Sequence, residues 1–499
     1  MTIEFILNAE RVRTDAPAGT LVLDWLRQRK QLVGTKEGCK EGDCGACSVL
    51  IGRLEGERVR YEPVTSCLVP LGELHGCHLL TIEGLNLPRG LNPVQEAMVK
   101  QGGAQCGFCT PGFIVSMCWY LMQGDEGQEP SEAGFRHAIS GNLCRCTGYG
   151  SIHRACADLT KACGDGGELK EAWSAPDRIA ALTERGALPG GLTGIAERLQ
   201  ALQAAPTEAF EAETPEFVIA GGTDLYVQRG ERIPEAEVEV LGRRDDMNQI
   251  EIDGDVVVIG ARTSFEAFAQ HPEIQRMLPT IVADMELIAS LPIRNRATLA
   301  GNLINASPIG DMTIMLLALG AEIQLWHRGT GESRWLELPD LYLGYKTLAR
   351  EPDELVRAIR FPAVEPPRTR VNFEKVSKRR CLDIATVNSA ARLTLDDAGV
   401  VTEARLAVGG VAAVPLYLRR ASAWLTGRAL NTTTARETLR IAMEEIAPIS
   451  DVRGSAEYKR LLARQLLAAH LFELHPGRVS LRDLIDAPHA IQHTREVTA

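Results

Sequence analysis

Cysteine placement constrains this chain more than any other feature. The stretch 105–149 opens with Gln105-Cys106-Gly107-Phe108-Cys109-Thr110-Pro111-Gly112 and closes with Gly141-Asn142-Leu143-Cys144-Arg145-Cys146-Thr147-Gly148-Tyr149. Two tight pairs, Cys-x2-Cys and Cys-x-Cys, stand 34 residues apart. Thr110 before Pro111 reads as the N-cap of one helix, and Thr147 before residues 151–161 as the N-cap of another. Helix N-termini carry partial positive charge and free N–H groups, which favour thiolates and an anionic cluster. Paired cysteines are the usual signature of structural zinc. A Cys-x-Cys pair is less usual for zinc, and the sequence upstream turns the choice towards iron and sulfide.

Upstream lies Cys39-Lys40-Glu41-Gly42-Asp43-Cys44-Gly45-Ala46-Cys47, followed after 19 residues by Cys67. This is the C-x4-C-x2-C…C spacing of plant-type [2Fe–2S] sites. Gly38, Gly42 and Gly45 let the backbone wrap closely round a small cluster and aim N–H groups at its sulfurs. Cys39, Cys44, Cys47 and Cys67 are therefore read as ligands of one [2Fe–2S] cluster. Cys106, Cys109, Cys144 and Cys146 are read as ligands of a second. The remaining cysteines, Cys77, Cys118, Cys156, Cys163 and Cys381, read as packing or surface thiols.

With 499 residues, 45% hydrophobic and 24% charged, the composition is that of a soluble globular protein of three or four domains. A net charge of −11 argues against nucleic acid or an anionic membrane surface as partner. The longest apolar run, 113–122, is too short to span a bilayer. Residues 1–8 (MTIEFILN) read as an edge strand, not a leader, so a cytoplasmic location is expected. In that compartment many cysteines point to metal or redox chemistry instead of disulfides.

In chain order, residues 2–8 and 11–14 read as a hairpin, 21–27 as a short helix, and 48–51 and 58–61 as strands, with Cys67 leading into another. That order fits a ferredoxin β-grasp. From Asn92-Pro93 the period changes to that of helices, at 93–101, 111–122, 132–139 and 151–161, which together make a four-helix bundle. The Gly-, Pro- and Ala-rich stretch 164–214 is a linker with one helix near 194–202. Next, a buried strand at 217–220 runs into Gly221-Gly222-Thr223-Asp224-Leu225, where glycines permit close approach of a phosphate. A second polar loop spans Thr298 to Asp311. No G-x-G-x-x-G or Walker sequence is present. Two such loops in one α+β domain suit a dinucleotide. Strands at 390–395 and 403–408 precede helices at 433–445 and 457–471, a small α/β cap.

QCGFCTPG, GNLCRCTGY, AGGTDL and AGNLINASPIGD, in this order, resemble the molybdenum hydroxylase family. The resemblance is nearest to the small, iron–sulfur and flavin subunits of bacterial xanthine dehydrogenases, and it covers almost the whole chain. It implies an α+β multidomain architecture. A β-grasp [2Fe–2S] ferredoxin domain would occupy 1–88 and a helical [2Fe–2S]-binding bundle 89–163, followed by a linker at 164–191. A PCMH-type FAD-binding α+β domain would follow at 192–385, and a C-terminal α/β flavoprotein subdomain, like that of CO dehydrogenase, at 386–490. It also implies a relay from a molybdopterin centre through the bundle cluster, the plant-type cluster and FAD to NAD+. The chain ends after the flavin portion, so the resemblance places molybdopterin on a separate large subunit, in a heterotetramer of two small and two large chains. FAD would meet Val218, Ile219, Ala220, Gly221, Gly222, Thr223, Asp224, Leu225, Thr298, Gly301, Asn302, Asp311, Val356 and Lys375. Tyr345 and Arg380 would lie on the NAD side, with Arg379 and Asp383 in the same charged loop. Ile288 stands where some members carry an aromatic residue. Hydroxylation itself would belong to the partner subunit, with no catalytic residue here. Another molybdenum hydroxylase, acting on an aldehyde, nicotinate or another heterocycle, would share these features. A stand-alone iron–sulfur flavoprotein reductase would need only one cluster.

Overall fold

The computed structural model describes residues 2–203, 215–243 and 245–485. They form two compact units. The first comprises Met1–Asn248, Arg262–Phe268 and Ile288–Gly301, and the second Gln249–Ala261, Ala269–Leu287 and Asn302–Ala499. The expected stretch 386–490 therefore runs partly outside the described residues.

The first unit opens with a five-stranded sheet in the order Glu10–Thr14, Ile3–Leu7, His78–Leu80, Ser48–Glu55, Arg58–Thr65. Ile3–Leu7 and His78–Leu80 are parallel, and the other neighbours antiparallel, as a β-grasp requires. The helix Val22–Gln28 buries Val22, Trp25 and Leu26 against Phe5, Val49 and Ile51, with the Trp25 ring edge-on to Phe5 at 5.4 Å. Cys67 does not enter a strand. It sits in a 3-10 turn, Ser66–Leu68, whose first residue is tied down by the Ser66 hydroxyl donating to the Cys47 carbonyl at 2.7 Å.

Helices Pro93–Lys100, Thr110–Gln123, Glu132–Ala138 and Gly150–Cys163 follow. Asn92 and Gln95 form a reciprocal capping box for the first, and Ser131 caps the third. Thr110–Gln123 is apolar nearly all round, and accordingly lies in the middle of the bundle core. The segment expected as a linker is folded: Lys170–Trp173 and Arg178–Glu184 are helices. Leu169, Ala172, Trp173 and Leu182 join the bundle core, and Arg178 lies 3.8 Å over the Trp173 ring. Composition alone marked the stretch as loose, whereas its few large apolar residues recur at helical spacing and find a core to fill. The helix Ile195–Gln203 then buries Ile195, Leu199 and Leu202 against Ile6 of the β-grasp sheet.

The second unit holds an antiparallel five-stranded sheet ordered Ser333–Glu337, Glu322–His327, Glu354–Pro362, Val256–Gly260, Ile250–Asp253. Its other sheet is an antiparallel meander of Thr369–Val376, Val387–Leu395, Val401–Gly409 and Leu416–Tyr417. Helices Thr432–Glu445 and Ala456–Glu473 share the meander's core. Asp311–Leu319, apolar on every side, is buried from Met312 through Leu319. Among the described residues no helix is long and apolar enough to cross a membrane.

Candidate iron–sulfur and flavin sites

Cys39, Cys44 and Cys47 lie on the loop between the first helix and the strand Ser48–Glu55, with Cys67 in the turn described above. Their thiols are neighbours in pairs, Cys39 beside Cys44 and Cys47 beside Cys67. The Glu41 amide donates to Cys39 Sγ at 3.3 Å. The Cys44 thiol, followed by backbone amides of Glu41, Cys44 and Asp43, holds the Cys39 thiol down to about 5. The glycines are sterically required. A Cβ on Gly38 would stand 2.7 Å from Cys44 Sγ, and one on Gly42 (φ +82°) 2.6 Å from Ile293 and 2.7 Å from Leu68.

At the second site Cys109 is itself the N-cap of Thr110–Gln123, and Thr110 is the first helical residue. The last helix of the bundle begins at Gly150 behind Tyr149, whose φ of 64° is left-handed, so Thr147 caps neither helix. Its hydroxyl donates instead to Cys144 Sγ at 3.1 Å, joined by its amide at 3.5 Å. The Cys144 amide donates to the Tyr149 hydroxyl at 3.0 Å. The Thr147 hydroxyl thus donates to a sulfur instead of accepting from a helix N–H. Cys109 pairs with Cys144, and Cys106 Sγ lies 3.5 Å from Cys146 Sγ.

Two pairs of thiols at each site match a two-iron cluster in which each iron takes two thiolates. A single tetrahedral zinc would draw all four to one point. The paired thiols with their N–H and O–H donors fit [2Fe–2S] at both places, and at the first the bare glycines add a close-fitting cradle.

The two loops touch. The Leu143 amide donates to the Cys44 carbonyl at 2.9 Å. Asn142, only 2% exposed, donates through Nδ2 to the Gly45 carbonyl at 3.0 Å and accepts the Ser116 hydroxyl at 2.8 Å. A Cβ on Gly45 would overlap the Gly141 carbonyl. Sequence reading gave Asn142 no role, although it stands inside a quoted motif two residues before Cys144.

Val218 and Ile219 belong to the strand Phe217–Ile219, which runs parallel to Val238–Val240. Ala220, Gly221 and Gly222 form the turn, and Thr223, Asp224 and Leu225 open the helix Thr223–Arg229. Gly222 is left-handed at φ +74°, and a Cβ on Gly221 would overlap the Arg296 carbonyl. This tight glycine turn, with Gly221 buried and Gly222 partly exposed at the start of a helix, is compatible with FAD. Ile219 and Tyr226 share one apolar core with Leu23, Leu68, Cys47 and Cys67. In the same unit Thr298 accepts the Gly301 amide at 3.0 Å.

Within the second unit, Asn302 Oδ1 accepts the Thr313 amide at 3.0 Å and its hydroxyl at 2.9 Å. Lys375, its side chain 2% exposed, donates to Asp311 at 2.8 Å and to the Leu287 carbonyl at 2.9 Å. Asn388 adds a 2.6 Å bond to the other Asp311 oxygen. Sequence reading did not single out Asn388. Val356 stands apart from these residues, on the strand Glu354–Pro362 opposite Leu325. Tyr345 is 67% exposed in a tight turn, and Arg380 makes a surface pair with Glu286 at 3.2 Å. The Arg379 amide donates to Asp383 at 3.0 Å.

Four family models match this chain in series. They are a 2Fe-2S iron-sulfur cluster binding domain (5–72), a [2Fe-2S] binding domain (81–157), the FAD binding domain in molybdopterin dehydrogenase (197–364) and the CO dehydrogenase flavoprotein C-terminal domain (373–474). The xanthine dehydrogenase of Blastobotrys adeninivorans is 28% identical over 89% of this chain and 38% of its own length. Xanthine dehydrogenase 1 of Arabidopsis thaliana is 28% identical over 92% of this chain and 38% of its own length. The chain thus spans well under half of these curated relatives. A chain of the CO dehydrogenase of Oligotropha carboxidovorans is 33% identical, with a TM-score of 0.46 over 51% of this chain and 88% of that one. Together the matches give the chain two [2Fe–2S] domains, an FAD-binding domain of the kind found in molybdopterin dehydrogenases and a C-terminal domain like that of the CO dehydrogenase flavoprotein.

Proposed function

We propose that the chain is the electron-transfer subunit of a xanthine dehydrogenase, taking electrons from a molybdopterin-bearing large subunit and delivering them to NAD+. The observation that carries this reading is the continuous packing of the three cofactor loops. Asn142 and Leu143 join the second cysteine loop to Cys44 and Gly45 of the first. Cys47 and Cys67 of the first then share a core with Ile219 and Tyr226 at the flavin loop. When bound, the clusters supply one-electron and the flavin two-electron chemistry. The chain's own part is to hold thiolates with amide donors, keep glycine backbone bare where cofactors approach, and leave Cys106 and Cys146 exposed, where a partner could reach the second cluster. The relatives named xanthine dehydrogenase support the purine substrate, and Tyr345 and Arg380 are the residues offered for the NAD side.

The test is to purify the chain with whatever co-elutes and measure iron, acid-labile sulfide, flavin and molybdenum. The reduced protein should show two distinguishable EPR signals, of which Cys144→Ser removes one and leaves the other. Zinc in place of iron, or one signal only, would refute the reading.

A further inference from the structure

Beneath the flavin loop lies a group of buried charges that neither the clusters nor the flavin requires as a ligand. Glu73 sits in the 3-10 turn Leu71–Leu74, six residues beyond Cys67, with a side chain 3% exposed. Its carboxylate Oε1 is shared by Arg53 at 2.6 Å and by Arg296, whose side chain is 5% exposed. The other Arg296 amino group, Nη2, donates to the Gly221 carbonyl at 2.8 Å. One guanidinium thus ties the turn that follows the first cluster's last ligand to the glycine at the centre of the flavin loop.

Stability does not explain this arrangement. Desolvating an ion pair costs about as much as the pairing returns, and apolar side chains of equal volume commonly serve as well. Nor is the network fully satisfied, since Arg296 Nε and Glu73 Oε2 have no hydrogen-bond partner among the described residues. What a guanidinium supplies is direction: its planar fork holds a carboxylate and a carbonyl at fixed angles to each other, whereas an ammonium on a flexible stem sets no such plane. The backbone on either side is fixed to match. Gly221 lies so close to the Arg296 carbonyl that a Cβ would overlap it, and Gly42 of the first cysteine loop packs on Ile293, three residues before Arg296.

We propose that Arg296 is a positioning residue that locks the Gly221 backbone onto the Glu73 turn, and so sets FAD affinity and electron exchange between flavin and the first cluster. This rests on the reading that residues 218–225 hold FAD.

The test uses the full chain with its iron in place. Arg296→Lys and Glu73→Gln should keep iron content and the first cluster's EPR signal, while the dissociation constant for FAD rises about tenfold or more. The double variant should be no worse than Arg296→Lys alone, because both act through one contact. Cluster-to-flavin electron exchange, followed by rapid mixing at saturating FAD, should slow in both variants. Arg53→Lys disturbs the other Glu73 pairing without touching Gly221, and should change FAD affinity by less than about twofold. Unchanged FAD affinity in Arg296→Lys would overturn the proposal. So would an equal loss in Arg53→Lys, since that is what simple packing predicts. Should Arg296→Lys not fold, Glu73→Gln reports the same contact, and unchanged FAD affinity there would overturn the proposal equally. If the unsubstituted chain takes up no FAD, the flavin reading itself falls and this inference with it, a result seen before any variant is made.

Discussion

His470 shows how one buried side chain ties stability to pH. It is fully buried, with Nε2 2.8 Å from the Ser389 hydroxyl and Nδ1 2.9 Å from the Asn372 amide nitrogen. Burial holds its pKa down from 6.5 to about 3. Between those values the unfolded chain binds a proton that the folded chain refuses. The stabilisation is therefore complete above the unfolded pKa and is lost as pH falls through the window, by up to about 1.4 kcal/mol per pH unit. Thermal unfolding of His470→Gln between pH 7 and pH 5 should show a shallower fall in midpoint than the parent; equal slopes would contradict this. The Lys375–Asp311 pair is a second case. Asp311→Ala would strand a buried ammonium, at a cost of about 3–5 kcal/mol, visible as a lowered melting temperature of the second unit. Neither partnership could be read locally, because Asp311 and Lys375 are 64 residues apart and His470 meets Ser389 from a distance of 81.

Among elements, helix ends and strands were legible where short-range rules govern them. Asn92-Pro93 starts a helix because a side chain caps it and proline fixes the first turn. Thr110 and Thr147 meet the same local rules, yet the cysteines beside them take over: Cys109 occupies the cap position, and the Thr147 hydroxyl turns to a sulfur. Asn142 belongs to this scale as well, since it fastens the start of one cysteine loop to Gly45 of another, 97 residues away. Asn142→Ala removes both bonds and leaves the Gly45 carbonyl buried without this donor, which should cost about 1–3 kcal/mol. The expected signature is earlier loss of visible iron–sulfur absorbance on heating, from both clusters together. Loss from the second cluster alone would mean the two loops are not held through this residue.

Over the whole molecule, neither unit is continuous in sequence. The first takes in Arg262–Phe268 and Ile288–Gly301 from the middle of the chain, and the second begins before them. The units therefore cut across any linear division of the chain into ferredoxin, bundle and flavin stretches. If the proposed function holds, the purified chain should oxidise NADH with an artificial acceptor and hydroxylate no purine until a molybdopterin-bearing partner is supplied. Steady-state assays with and without that partner decide it, and purine turnover by the chain alone would exclude the proposed division of labour.

The sequence by itself determined the two cysteine spacings, the β-grasp order, the helices of the bundle and the glycine-bearing turns. All of these depend on spacing, capping and side-chain period over a handful of residues. Only the tertiary structure decided which thiol pairs with which, that residues 170–184 fold onto the bundle, and that Asn142 and Arg296 fasten the three loops to one another. Those contacts join segments dozens to hundreds of residues apart, and they exist only because the intervening cores bring them within hydrogen-bonding reach.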